Sequence, residues 1–350
     1  MSDVIRLAHG SGGEVSRKLI EEMIGTYFKN DIIARLDDSA VISLGGIDLG
    51  EIGTGGIDLR GARIAFTTDS YVVDPIFFPG GDIGSLAVNG TVNDLSMVGA
   101  APIAITLSLI LEEGFAVADL RRILESVMKA SAEAGVAVVG GDTKVVERGS
   151  ADRIFVNTSG IGAVSAGVDI SSSNARPGDI VILSGSIGDH GIAVLSRREG
   201  IDFETDIVSD TAPLNGLVKA MLGVGGTIRA MRDPTRGGLA TTLNEIASRS
   251  GVGVVIEESA VPIKGPVSEA CEMLGLDVFY VANEGKLVAF VGGSEAGKVL
   301  STMRGTRYGE DATVIGRVVR EHPGMVTLNT SVGGSRLLSP LSGELLPRIC

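Results

Sequence analysis

Five aspartate sites stand beside small or polar residues at predicted strand ends: Asp37-Asp38-Ser39, Thr68-Asp69-Ser70, Asn93-Asp94, Gly141-Asp142-Thr143 and Arg232-Asp233. One such residue is ordinarily a turn or helix-cap residue. Five in a single glycine-rich chain point instead to hard oxygen ligands on separate loops. That arrangement suits Mg²⁺, which takes one or two carboxylates per ion and completes its octahedron with waters and phosphate oxygens. The groups a triphosphate needs lie near these acids. His9-Gly10-Ser11-Gly12-Gly13 offers backbone N–H donors and a pliable cover, and Thr235-Arg236-Gly237-Gly238 brings an arginine and bare backbone to a helix start. Lys144 directly follows Gly141-Asp142-Thr143.

Two further residues carry possible chemistry. Glu284 lies in a polar turn, Asn283-Glu284-Gly285-Lys286, between apolar strands. Alone it reads as a turn residue; in a closed site its pKa would rise enough to accept a proton. Cys350 is the last residue, at the end of a stretch from Ser335 that contains Pro340, Gly343 and Pro347 and little periodicity. The stretch reads as a mobile arm, and about fifteen extended residues reach up to ~50 Å. The plain alternative is a frayed terminus that happens to end in cysteine.

Other motifs fail on chemistry. Gly292-x-x-x-x-Gly297-Lys298 has the setting of a phosphate-binding loop, but Val299 stands where a Mg²⁺-ligating hydroxyl belongs. Gly185, Gly188 and Gly191 follow a strand without the dinucleotide spacing. Cys271 sits among apolar helical neighbours and reads as a small core residue. His190 and His322 have no partners at metal-ligand spacing.

These residues need a scaffold, and the chain alternates apolar strand-like runs with amphipathic helical stretches, the pattern of a mixed α/β fold. Strands are expected at 63–68, 102–111, 136–139, 153–164, 180–183, 252–256 and 286–291. Helices are expected at 82–98, 117–134, after Gly237-Gly238, and at 266–274 and 294–303. Arg176-Pro177-Gly178 marks a boundary. The expected division is a first domain over 1–170, a second over 171–334 and the tail 335–350. Residues 45–61 form a glycine-rich insertion that reads as a loop or lid, with no chemistry attached.

Composition narrows the partners. The chain has 350 residues, 44% hydrophobic and 21% charged, a net charge of −13 and 50 glycines. The acidic balance argues against nucleic acid and anionic membranes. The apolar run near 100–111 is too short to span a bilayer. Two distant cysteines indicate a reducing compartment, and a cytoplasmic protein is expected.

The motifs taken together resemble the HypE family of hydrogenase maturation proteins. The resemblance rests on residues 9–13, 67–75, 77–81, 141–146, 188–191, 235–238 and 282–287 and, most specifically, on the terminal Pro347-Arg348-Ile349-Cys350. The aspartate and glycine motifs are shared more widely, with aminoimidazole ribonucleotide synthetase, selenophosphate synthetase and thiamine-monophosphate kinase. The resemblance implies a two-domain fold of the aminoimidazole ribonucleotide synthetase type, a homodimer paired through the N-terminal sheet, and ATP in an acid-lined cleft. The implied activity is that of an ATP-dependent carbamoyl dehydratase. A carbamoyltransferase, HypF, loads the terminal thiol; dehydration converts the S-carboxamide to S-cyanate; the cyano group passes to iron on a HypC–HypD complex. On that basis Cys350 is the covalent carrier, and Glu284 and Lys144 are the candidates for proton transfer. Asp38, Asp69, Asp94, Asp142 and Asp233 would hold metal and phosphate, with His9, Gly10, Ser11, Gly12, Gly13, Thr143, Arg236 and Gly237 around the nucleotide. The competing readings are a small-molecule kinase or phosphate-activating synthetase of the same fold, which would not need Cys350, and a non-catalytic thiol carrier.

Overall fold

A computed structural model describes residues 5–6, 9, 13–24, 27, 30–43, 63–201, 207–341, 343 and 345–350. The expected lid at 45–61 and the cover residues Gly10, Ser11 and Gly12 lie outside the described residues. A short helix α1 (Glu14–Lys18) precedes strands β1 (Ala40–Ser43) and β2 (Arg63–Tyr71). A small hairpin, β3 (Phe77–Phe78) and β4 (Gly81–Asp82), leads into α2 (Ile83–Met97). Then follow β5 (Ala100–Glu112), α3 (Val117–Ala134), β6 (Ala137–Val146) and β7 (Ile154–Val164). These strands make a five-stranded sheet in the order β1-β2-β7-β5-β6, antiparallel except for the parallel pair β5 and β6.

Helix α2 starts where Asp82 accepts from the backbone of Gly84 (2.8 Å) and Ser85 (3.1 Å) while Ser85 reaches back to the Asp82 N–H (3.0 Å). This reciprocal cap satisfies amide groups that the helix cannot. The helix crosses one face of the sheet so closely that a Cβ on Gly160 of β7 would stand 2.8 Å from the Thr91 methyl. The other face is open and carries apolar side chains, with Phe66 opposite Ile161 in the β2–β7 register.

The second half contributes β8 (Ile180–Leu183), α4 (Asp189–Glu199), α5 (Asn215–Gly223), β9 (Ile228–Arg232), α6 (Gly238–Ser250) and β10 (Gly253–Glu257). Next come α7 (Gly265–Leu274), β11 (Val288–Val291), α8 (Ala296–Arg304), β12 (Thr313–Val319), β13 (Val326–Asn329) and β14 (Ser335–Leu337). They form a seven-stranded sheet, β14-β13-β10-β12-β8-β11-β9, with helices on both faces. Strand β8 shows why its sequence is continuously apolar. Val181 and Leu183 pack with α6, while Ile182 packs on the opposite face with α5 and α8.

Three placements differ from expectation. The strand starting near 136 continues to Val146, so Asp142, Thr143 and Lys144 lie within β6 and not in a loop after it. Asp94 lies on α2, not at a strand end. Ser335–Leu337 pairs antiparallel with β13 and Leu338 is buried, so the chain leaves the second sheet only after the strand that was expected to belong to the arm. Main-chain hydrogen bonding to β13 explains the last difference, because it needs no side-chain periodicity.

Candidate active site

The acidic residues meet where α2 and β2 of the first half face the chain following β9 of the second. Asp38, just before β1, pairs with Arg232 at 2.6 Å, and Arg232 also holds Glu245 at 2.7 Å. Asp94 accepts from the Thr67 hydroxyl at 2.9 Å. Asp69 lies half-buried near the end of β2, where its carboxylate accepts from the Ser70 N–H at 2.8 Å. Burial pushes Asp38 up to about 8, with Arg232 opposing, and Asp233 up to about 6. Asp94 is raised well above the usual carboxylate range by burial, then by the charges of Asp233, Asp69 and Asp38. These carboxylates therefore lie within electrostatic reach of one another with too little positive charge between them. A cavity of about 400 Å³ beside them is lined by Asp37, Arg232, Asp233, Thr235, Arg236 and Glu245, among others.

Among the described residues no three acidic, histidine or cysteine side chains converge closely enough to hold an ion unaided. The donor set still fits Mg²⁺, which needs only one or two carboxylates when water and phosphate oxygens supply the rest. Asp38, Asp69, Asp94 and Asp233 are the aspartates in mutual electrostatic reach there.

The C-terminal segment is docked into the same region. Arg198 of α4 donates to the carbonyls of Asp74 (2.7 Å), Pro347 (2.6 Å) and Arg348 (2.7 Å). His190, fully buried on the same helix, pairs its Nε2 with the Ile349 carbonyl at 2.8 Å and its Nδ1 with the Ser209 hydroxyl at 2.8 Å. Because a carbonyl only accepts, Nε2 carries the proton. Burial lowers the His190 pKa. The main chain adds Val72 N–H to the Cys350 carbonyl and Asp74 N–H to the Arg348 carbonyl, both 3.1 Å. Arg348 in turn donates to the Val72 carbonyl at 2.9 Å and pairs with Asp152.

These contacts bury Cys350 to 8% exposure in an apolar cluster with Ile349, Tyr71, Val73 and Ala282. Burial pushes its thiol up to about 12, Arg236 opposes this, and Glu284, Asp69 and Asp233 add to it. Cys350 is in turn the largest influence raising the Arg236 pKa, ahead of Asp69 and Glu284. The terminal thiol, the guanidinium and the buried acids thus share one electrostatic environment. Docked in this way, the thiol is protonated at neutral pH and is not a nucleophile.

Glu284 is fixed by its own backbone. Asp210 accepts from the Glu284 and Gly285 N–H groups (3.0 and 3.3 Å), and Asn93 of α2 donates to the Glu284 carbonyl at 3.3 Å. Its Oε1 is buried with no hydrogen-bond partner among the described residues. Burial raises its pKa well above the usual range, followed by the charges of Asp233, Asp210 and Asp69. Gly237 and Gly238 open α6 with φ of +79° and +61°. That left-handed backbone favours glycine, and at Gly238 it passes within 2.6 Å of where a Cβ would meet the Phe279 carbonyl.

Other predicted residues do not join this cluster. Lys144 and Asp142 pair with each other at 2.7 Å on the edge strand β6, with side chains 69% and 60% exposed. The Lys144 hydrogen bond holds the Asp142 carboxyl below its usual range, helped by the Thr143 N–H. Thr143 is exposed beside them. His9 folds back on its own segment, where its Nδ1 accepts from the Arg6 N–H at 2.9 Å. Gly13 abuts the Leu341 carbonyl, and the next N–H, that of Glu14, donates to it at 3.0 Å. The Gly292–Lys298 stretch carries no phosphate geometry; Lys298 donates to the Val224 carbonyl at 2.5 Å.

Sequence reasoning assigned no role to Asn93, His190, Arg198 or Asp210. A signal existed for two of them. His190 and Asn93 are polar residues inside otherwise buried helical faces, where a side chain must find a partner.

Comparison with known proteins identifies the family. Residues 36–164 match the family described as AIR synthase related protein, N-terminal domain, and residues 176–329 match its C-terminal domain. A relative from Rhizobium leguminosarum bv. viciae, carbamoyl dehydratase HypE, is 52% identical over 347 residues, 99% of this chain and 95% of that one. A structure of a HypE–HypF complex superposes with a TM-score of 0.83 at 49% identity, covering 92% of this chain and 99% of that one. A structure of HypE in complex with ATP superposes with a TM-score of 0.80 at 46% identity over 99% of this chain and all of that one. With both domains matched and the terminal cysteine seated among the buried acids, the chain belongs to the HypE family of carbamoyl dehydratases.

Proposed function

We propose that this chain dehydrates a carbamoyl group carried on its own Cys350 to a thiocyanate, using ATP. The observation that carries the reading is the thiol itself, buried beside Arg236 and Glu284 at the edge of the acid cluster. The reading is supported by the names of its relatives, a carbamoyl dehydratase and proteins solved with ATP and with HypF. The stoichiometry is R–S–C(O)NH₂ + ATP giving R–S–C≡N + ADP + phosphate. The carbamoyl oxygen leaves as part of phosphate, and both N–H protons are lost as the C≡N bond forms.

The chain's residues divide the work. Arg236 offsets negative charge beside the reacting carbon, and Glu284 receives an N–H proton in a dry site. Asp38, Asp69, Asp94 and Asp233 would hold Mg²⁺, which supplies charge neutralisation for the transferred phosphoryl group. The high pKa of the docked thiol implies that loading by HypF happens with the tail released, and that docking follows. After dehydration the tail would leave again to deliver the cyano group to iron on a HypC–HypD complex. In a homodimer, Asp142, Thr143 and Lys144 would complete a second copy's nucleotide site. The exposed apolar face with Phe66, Ile110 and Ile161 suits such pairing. Reaction through a free thiol fits a cytoplasmic setting, and among the described residues no helix is long and apolar enough to cross a membrane.

Intact-mass measurement of the C-terminal peptide tests the reading, after incubation with HypF, carbamoyl phosphate and ATP. A carbamoyl adduct on Cys350 that loses the mass of one water only with Mg-ATP is expected. No adduct in the presence of active HypF would favour the kinase or synthetase alternative. An adduct that never dehydrates would favour the carrier.

A further inference from the structure

Two buried oxygen atoms near the docked thiol have no hydrogen-bond partner among the described residues: Tyr71 Oη and Glu284 Oε1. Tyr71 ends β2 and is 1% exposed. Its ring packs in the same apolar cluster as Cys350, and the next residue, Val72, binds the Cys350 carbonyl through its N–H. Ring and thiol are therefore carried on adjoining main chain. The hydroxyl is pressed against α2 at Gly90, where any Cβ would overlap it. Thr91 lies alongside, close enough to interact with the phenol, but its hydroxyl is engaged with Thr158 at 2.5 Å and makes no hydrogen bond of regular geometry with Tyr71 Oη. Glu284 approaches the same helix from the other half of the molecule, where Asn93, three residues beyond Gly90, holds its carbonyl.

A tyrosine phenol is far from ionising at neutral pH. It stays protonated and can both donate and accept. A bare thiol brings a single weak donor to this place. A carbamoyl group on the same sulfur brings two N–H donors and one oxygen acceptor.

We propose that Tyr71 is a further substrate-contacting residue, whose hydroxyl accepts one N–H of the carbamoyl group on Cys350 and donates its own O–H to Glu284 Oε1. The second carboxyl oxygen of Glu284 receives the other N–H. With both N–H groups held, the carbonyl oxygen is turned to the Arg236 side, where it is to be phosphorylated. Tyr71 makes and breaks no bond; it fixes the plane of the group. This inference rests on the proposed dehydratase reading.

The test is Tyr71→Phe in the full chain, loaded at Cys350 from ¹³C-labelled carbamoyl phosphate. Five readouts are taken: loading of Cys350, ATP affinity, single-turnover dehydration on adding Mg-ATP, the ¹³C shift of the carbamoyl carbon before ATP, and Tm. The expected result is normal loading, a Tm equal to or above wild type, unchanged ATP affinity, a displaced ¹³C signal, and dehydration slowed about 10- to 100-fold. Dehydration at the wild-type rate with an unmoved ¹³C signal would overturn the proposal. So would a joint loss of Tm, ATP affinity and rate, the mark of a purely structural residue. Failure of the dehydratase reading is seen separately, as wild-type protein that loads but never dehydrates, and it removes the basis of this proposal too.

Discussion

The buried acids at the junction of the two halves and the exposed Asp142-Thr143-Lys144 on β6 begin from similar sequence, aspartates among glycine, threonine and serine, and reach opposite electrostatic states. Asp38, Asp94, Asp233 and Glu284 are raised by burial and by one another, so the cluster favours protons or an added cation. Asp142 is lowered by a lysine two residues away and is ionised in open solvent. One group is held in a low-dielectric interior, and the other stands in solvent on an edge strand. Burial, not residue type, makes the difference, because removing a carboxylate from water penalises its charged form.

The sharpest way to break the comparison is Glu284→Gln. If the buried acids do the chemistry, this variant loads carbamoyl on Cys350 normally and loses about 10²- to 10⁴-fold in dehydration rate. Intact mass would show the carbamoyl adduct persisting with Mg-ATP, whereas water loss at the wild-type rate would remove Glu284 from the mechanism.

Asp142→Asn should act more mildly and elsewhere. A charge-assisted contact across a subunit boundary contributes ~1.5 kcal/mol, so ATP binding should weaken about tenfold while the thermal midpoint stays unchanged. Calorimetric titration with ATP decides it. Unchanged affinity would make Asp142 a plain surface residue and dissolve the proposed completion of the site by a second copy.

The smallest effect is on stability. Asp38 and Asp233 are raised from 3.8 to about 8 and about 6, so the folded chain holds protons that the unfolded chain releases. Their contribution is fully present below about pH 4 and is lost as pH rises through about 6 and then about 8. The Tm of ligand-free protein should therefore fall by a few degrees as pH rises across this window, and saturating Mg-ATP should raise Tm and flatten the slope. A flat ligand-free profile would contradict the buried-acid description, and so would a slope that Mg-ATP leaves untouched.

The mixed α/β architecture and most element positions were legible because apolar periodicity reports directly on which side chains meet a core. The Asp82–Ser85 cap and the left-handed glycines of the Gly237-Gly238 turn are likewise local events that local sequence encodes. The motif residues of the site were visible as types, and Cys350 stood out by position alone. Their grouping was not visible. Nothing in the spacing of Asp142 separates it from Asp69, yet one lies exposed on an outer strand and the other within electrostatic reach of the buried acids. Arg198 reads as an ordinary helix-end arginine until three main-chain carbonyls from residues 74, 347 and 348 converge on it.

By itself, then, the sequence determined the composition of the chemistry: acids, an arginine beside glycines, a glutamate in a turn and a terminal thiol. Only the tertiary structure decided which of these share a low-dielectric interior and which stand in water. Burial, hydrogen-bond partners and pKa values depend on contacts between residues up to several hundred positions apart, and no local pattern records them.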